Sequence, residues 1–246
     1  MPRLQGKRRW LRAVRLLERA CLGRACVHPA SVVASALAIA ADARWCMGCG
    51  RHLSFGPPMP RQVAAGQGPR CVACMRGEGF AAFVRMARYR PPIDGVLRRS
   101  KHRAEHGVLR ELGRRLGQMV SDRMATPAGG WCVVPVPASP LRRLLRGIDH
   151  STALARGVAQ ILGVPVTHAV RGCGSTRQAS LARQDRLRRR HAGRGAATAR
   201  IRGRHVLIVD DIRTTGATLR SVRRVLQDMG AASVSAAVVA VAEVDA

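Results

Sequence analysis

The chain has 246 residues, a formal net charge of +29, a pI near 11.9 and 47% hydrophobic residues, enough for one substantial core and a small appendage, since single domains typically run about 100 to 200 residues. The charge points to nucleic acid, an acidic surface or a phosphate-rich ligand, yet Lys7 and Lys101 are the only lysines among 43 basic residues, a bias that a GC-rich genome also writes. Three Trp, three Phe and one Tyr do not supply the interleaved aromatics of a base-stacking platform.

Residues 1–45 are rich in Arg and Ala and carry only a loose helical stripe. Within them Ser31 to Ala43 (SVVASALAIAADA) is apolar and ends in Ala-x-Ala, which partly resembles a signal peptide. It follows about thirty residues rather than a short charged n-region, and it falls short of the roughly 20 residues of a membrane span. It reads as an Ala-rich helix or poorly ordered extension, with no membrane association. From Cys46 to Phe80 the chain is rich in Gly, Pro and Cys and has no apolar periodicity, so this segment needs something other than core burial to fold. Val108, Leu112, Leu116 and Val120 predict a helix over His102 to Arg123, stopped by TPAGG. WCVVPVP (Trp131 to Pro137) reads as a buried strand ended by proline. A helix is predicted from Ser151, as N-cap, to Leu162, with Gly163 as its stop, and a strand over Val164 to Ala169. Arg171 to Arg204 is Arg-dense and reads as a long loop. A strand His205 to Val209, a helix Ala217 to Met229 stopped by Gly230 and a strand Ser233 to Ala242 close the chain. Strands alternating with helices predict an α/β fold with a parallel sheet. The expected division is an extension over 1–45, a cysteine module over 46–80 and the α/β domain over 81–246.

The eight cysteines are not spaced like a disulfide framework. Cys21, Cys26, Cys132 and Cys173 lie singly, whereas Cys46 with Cys49 and Cys71 with Cys74 form two C-x2-C pairs separated by 21 residues. Each pair can place two thiolates on a tight knuckle, and together they predict a four-cysteine Zn2+ site, with His52 weighed as a substitute ligand. Four thiolates close the coordination sphere, so the metal is expected to be structural. Unpaired thiols and a metal site together favour a reducing compartment, the cytoplasm.

VLIVDDIRTTGATL (Val206 to Leu219) carries the other chemistry. Four aliphatic residues run into two acids, and a small-residue loop then enters a helix. Helix N-termini present outward-pointing amides and partial positive charge, so Thr214, Thr215, Gly216, Ala217 and Thr218 suit a phosphate. Asp210 and Asp211 cannot face that phosphate. They can accept hydrogen bonds from the vicinal hydroxyls of a sugar attached to it and help compensate a Mg2+ ion held by the rest of the ligand. Acids and loop thus address two ends of a ribose 5-phosphate, at the sheet edge where open α/β folds bind ligands.

This stretch closely resembles the PRPP-binding signature of type I phosphoribosyltransferases. The wider resemblance, over about residues 46 to 242, is to the ComF family, which joins a cysteine zinc module to a phosphoribosyltransferase-like domain. Beside the paired cysteines it is carried by YRPPIDGVLRRSKH (Tyr89 to His102), VVPVP, RGIDHSTALA (Arg146 to Ala155) and TRQASLARQDR (Thr176 to Arg186). The resemblance implies that Asp210 and Asp211 hold the ribose hydroxyls and Arg213 to Thr218 the 5-phosphate. The backbone around Val136 would face the pyrophosphate, with Lys101 and Arg146 as countercharges. Asp149 and His150 stand where the family usually has Asn and Gln. Thr214 occupies the place of a carboxylate in purine-salvage relatives, which disfavours a 6-oxopurine acceptor. Two readings follow. One is Mg2+-dependent transfer of phosphoribose from PRPP to a nitrogen acceptor. The other is a binding protein for PRPP or a nucleotide-like ligand that engages single-stranded DNA or DNA-uptake proteins in natural transformation.

Overall fold

A computed structural model of the chain describes residues 33, 44–53, 68–103, 106–127, 129–138, 149–172 and 191–242. Most of the extension, the segment Thr176 to Arg186 and the Arg146 position lie outside the described residues.

Four parallel strands form the main sheet: β1 (Phe83–Arg88), β2 (Trp131–Pro135), β5 (His205–Arg213) and β6 (Ser233–Val241), in the spatial order β1-β6-β5-β2. A short antiparallel pair, β3 (Val170–Gly172) with β4 (His191–Gly193), stands apart from it. The helices are α1 (Ile93–Arg103), α2 (His106–Arg123), α3 (His150–Leu162), the single turn α4 (Thr198–Ile201) and α5 (Ala217–Asp228). Helices cover both faces of the sheet, which is why its strands are near-continuous aliphatic runs. Val84, Val133, Leu207, Val209 and Val239 pack with Leu109, Leu112, Leu116, Leu154 and Val158 of α2 and α3. The alternate residues Cys132, Val134, Val206, Ile208, Ala236 and Val238 pack with Leu219, Val222 and Leu226 of α5 and Ile201 of α4.

Several elements depart from the sequence reading. The helix expected over His102 to Arg123 begins at His106, and a separate helix, α1, precedes it; the short stripe of Ile93, Val96 and Leu97 in α1, all buried, is diluted by Gly95 and by four Arg or Lys residues. Strand β1 was not predicted, because FVRMAR contains two arginines. Arg85 is nevertheless fully buried, with its guanidinium over the Trp45 ring and its NH2 donating to Arg44 O at 3.4 Å. Helix α3 is capped by Asp149, whose Oδ1 accepts from Thr152 N at 3.2 Å, rather than by Ser151. Its stop is the expected Gly163, at φ 67. Within Val164 to Ala169 only Val166 bridges to Val133, and the strand follows at Val170. The stretch expected to be loop up to Arg204 includes β4, a 3-10 turn at Gly195–Ala197 and α4. Finally, β5 does not end at Val209. Pairing of Asp210 with Val238, Ile212 with Ala240 and Arg213 with Val241 carries it four residues further.

Helices α2 and α3 approach so closely that their backbones touch. A Cβ on Gly113 would lie 2.2 Å from Leu154 O, and one on Gly157 would lie 2.3 Å from Arg110 O. Gly157→Val is therefore expected to destabilise the protein by about 1 to 3 kcal/mol or more through overpacking. Gly195→Ala, which meets nothing within 4 Å, should leave the urea midpoint unchanged. Equal midpoints for Gly157→Val and wild type would show that the crossing is not tight.

Candidate functional site

The cysteine pairs converge. The Sγ atoms of Cys46, Cys49, Cys71 and Cys74 all lie within 4.8 Å of one another, and those of Cys49 and Cys71 are 3.8 Å apart. That matches the edge of a tetrahedron with Zn–S bonds of about 2.3 Å. Each knuckle is shaped by its backbone. Gly50 N donates to Cys46 O at 2.7 Å, while Gly48 N and Cys71 N donate to Cys46 Sγ at 3.3 and 3.2 Å. Gly50 sits at φ 75, and a Cβ there would lie 2.3 Å from the Phe83 ring, so the first turn requires glycine. His52 is directed elsewhere: its Nδ1 lies 3.1 Å from Arg44 O, and the cluster is formed by cysteines alone.

The titration of these thiols also fits a cation. The hydrogen bond with Cys49, followed by backbone amides of Cys71 and Gly48, pulls Cys46 down to about 4. Cys49 is driven up by that same hydrogen bond and by burial, and burial followed by the Cys46 charge pushes Cys74 up to about 12. One thiolate thus opposes the ionisation of its neighbours. A divalent ion among the four sulfurs removes that opposition and displaces their protons.

The second centre lies at the C-terminal edge of the sheet. Val209 and Ile212, three residues apart, both pack on the α2/α3 side, so the simple in-out alternation lapses across the acid pair between them. Asp210 Oδ1 accepts from Ser151 Oγ at 3.2 Å and from Asp211 N at 2.9 Å, and Asp211 Oδ1 accepts from Ile212 N at 2.6 Å. Both carboxylates are half-buried. The chain then turns through Thr214 and Thr215, both exposed, to Gly216 at φ 74, which is the N-cap of α5. Thr215 Oγ1 accepts from Ala217 N at 3.3 Å, and Arg220 NH1 donates to Thr215 O at 3.0 Å. A Cβ on Gly216 would sit 3.1 Å from Arg213 Nε and 3.1 Å from Arg220 NH1. The loop is therefore a glycine turn flanked by two guanidinium groups, opening onto the amides of a helix N-terminus.

The predicted residues are thus brought together in part. Asp210, Asp211 and Arg213 to Thr218 form one continuous edge. Val136 adjoins it, but its N–H is committed to Val209 O at 2.9 Å, prolonging the β2–β5 pairing. Lys101 lies in α1, and Arg146 lies outside the described residues. Two participants were not read as such. Ser151, expected as a helix cap, instead meets Asp210, while Arg220 flanks the loop one turn into the helix. No pattern in the sequence pairs Ser151 with Asp210, 59 residues away.

Residues 149–245 match the phosphoribosyl transferase domain, in keeping with the parallel sheet and its covering helices. Over 196 residues the chain is 24% identical to competence protein F of Haemophilus influenzae, covering 76% of this chain and 80% of that one. With the four-cysteine cluster, this bears out the resemblance to ComF proteins. Among solved structures it is similar to an allosteric regulatory enzyme of purine biosynthesis (TM-score 0.40, 20% identity, 54% of this chain and 25% of that one). Another is glutamine PRPP amidotransferase from B. subtilis, complexed with ADP and GMP (TM-score 0.38, 21% identity, 53% and 26%). The chain thus spans about a quarter of the length of either enzyme. Among the described residues no helix is long and apolar enough to cross a membrane.

Protein purified without added metal is expected to contain about one zinc per chain. Cys71→Ser should lose the ion and become open to proteolysis within residues 46–80, because metal binding here is folding free energy. Metal-free protein with a protease-resistant knuckle would overturn the assignment.

Proposed function

We propose that the chain binds PRPP with Mg2+ at the C-terminal edge of its sheet and transfers phosphoribose to a nitrogen acceptor. The observation that carries this reading is the acid pair in the last four residues of β5, followed within five residues by a left-handed glycine at the start of α5. Asp210 and Asp211 accept from the ribose 2- and 3-hydroxyls. Their orientation is set beforehand by Ser151 and by the amides of Asp211 and Ile212, so little reorganisation accompanies binding. Residues Arg213 to Thr218 take the 5-phosphate through backbone amides, hydroxyls and the α5 dipole. Mg2+ supplies charge neutralisation for the departing pyrophosphate. Lys101 and Arg146, the countercharges that the resemblance implies, would offset the charge that develops on the leaving pyrophosphate as the glycosidic bond breaks. Thr214 leaves this edge without the carboxylate that a 6-oxopurine acceptor needs in the resembling purine-salvage enzymes.

A second reading is favoured by the +29 charge and by the name of the relative, competence protein F. In it the chain is an accessory protein in DNA uptake that binds single-stranded DNA, and PRPP or a nucleotide is a ligand without turnover. Binding at low salt carries no weight for so basic a chain, so the discriminating condition is about 150 mM salt. Binding that persists there with saturating PRPP and weakens when the arginines of Arg183 to Arg194 become Ala supports a separate DNA site. Binding that vanishes at that salt in every form removes this reading.

Calorimetry tests the first reading directly. Wild-type protein should bind PRPP in the presence of Mg2+. The double variant Asp210→Asn with Asp211→Asn should lose roughly tenfold or more in affinity, since a hydrogen bond to a charged group contributes about 1.5 to 3 kcal/mol. Equal heats from wild type and variant, or none from either, would remove the ligand assignment.

A further inference from the structure

The apolar stripe of α3 ends in a hydroxyl. Leu154, Ala155 and Val158 are buried in one cluster with Leu207 and Val209 of β5. A step of three or four residues along a helix keeps to one face, and that step back from Leu154 or Ala155 arrives at Ser151, buried on the first turn. Alanine would fill such a position with a better helix propensity, and a hydroxyl buried without a partner costs stability. The partner is Asp210, whose Oδ1 accepts from Ser151 Oγ at 3.2 Å. Capping does not need this hydroxyl, because Asp149 already accepts from Thr152 N.

Asp210 is thereby held from two elements. Its Oδ1 accepts from Asp211 N, within β5, and from Ser151, on α3. Two donors that approach from separate elements fix both the position and the plane of the carboxylate. The mount is firm, since a Cβ on Gly157 would lie 2.3 Å from Arg110 O and α3 therefore has no slack against α2. The donor is also neutral. An arginine or lysine here would pair with Asp210 and compete with any ligand for the carboxylate, whereas a serine orients it and leaves its charge in place.

We propose that Ser151 is a positioning residue for the sugar: by fixing Asp210 from α3, it makes the site prefer a phosphorylated ribose over the same phosphorylated ring without hydroxyls. This rests on the reading of Asp210 and Asp211 as acceptors for the ribose diol. An acceptor oriented in advance is not ordered at the ligand's expense, so the hydroxyl contacts add their full strength to binding. Without the Ser151 hydroxyl the ligand itself must order Asp210, and part of that strength is lost. The phosphate contacts at Arg213 to Thr218 do not run through Ser151, so they should persist.

The experiment compares, by calorimetry on the full chain, ribose 5-phosphate with tetrahydrofurfuryl phosphate, which keeps the ring and the phosphate and lacks the hydroxyls. Wild-type protein should bind ribose 5-phosphate several-fold more tightly. In Ser151→Ala that preference should shrink several-fold while tetrahydrofurfuryl phosphate binds as it does to wild type, a pattern that general damage to the fold would not give because it weakens both ligands. Ser151→Thr keeps a hydroxyl on Cβ and should retain most of the preference. A full preference in Ser151→Ala, equal loss in Ser151→Ala and Ser151→Thr, or parallel weakening of both ligands overturns the role of Ser151 and leaves the diol reading standing. Wild-type protein that binds ribose 5-phosphate no better than tetrahydrofurfuryl phosphate, or not at all, removes the diol reading and the role of Ser151 with it.

Discussion

Everything at the acid-bearing edge depends on the parallel pairing of β5 with β6 continuing beyond the aliphatic run that ends at Val209. A carboxylate on a free loop is solvated and mobile. Here the backbone of Asp210 to Arg213 is held in register against Val238 to Val241, a wholly buried run, so the acids project from a fixed ladder. The same ladder sets where the chain can turn, and hence where α5 begins. Ala242 N donating to Arg213 O at 2.8 Å closes it at the residue where the loop starts.

The arginines have a second use that the net charge conceals. Arg85 and Arg123 lie over the faces of Trp45, 5.8 and 4.9 Å from its ring centroid, and such contacts gain strength when the cation is shielded from water. Arg70 donates to the carbonyls of Phe80 and Ala81 at 3.1 and 2.7 Å. Arg223 reaches Gly79 in the same way. These side chains fasten the knuckle to the sheet through backbone carbonyls that would otherwise be buried without donors. Part of the basic composition is therefore internal glue in a chain poor in aromatic residues, and does not by itself denote a polyanionic partner.

The α/β class, the convergence of the two cysteine pairs and the placement of the acid pair beside a helix N-terminus were legible because each is written locally, in periodicity, in Cys spacing and in one contiguous segment. What was not legible depends on distant chain. FVRMAR looks too polar for a central-layer strand until Trp45 is placed over Arg85. The extension of β5 past Val209 comes from β6, not from anything in DDIR itself. Ser151 looked like an N-cap because Ser is a good one. The neighbouring Asp149 takes that position, which frees the Ser151 hydroxyl for Asp210.

Among the described residues β1 pairs only with β6, whose partner residues are roughly 150 positions later in the chain. During synthesis at about 5 to 20 residues per second, the knuckle and β1 emerge many seconds before β6, α5 and Arg223 exist to receive them. In that interval the apolar underside at Phe80 and Phe83 has no cover from the α5 and β6 residues that bury it in the folded chain. The arrival of α5 and β6 thus completes the sheet beside β5 and covers the cysteine knuckle in the same event.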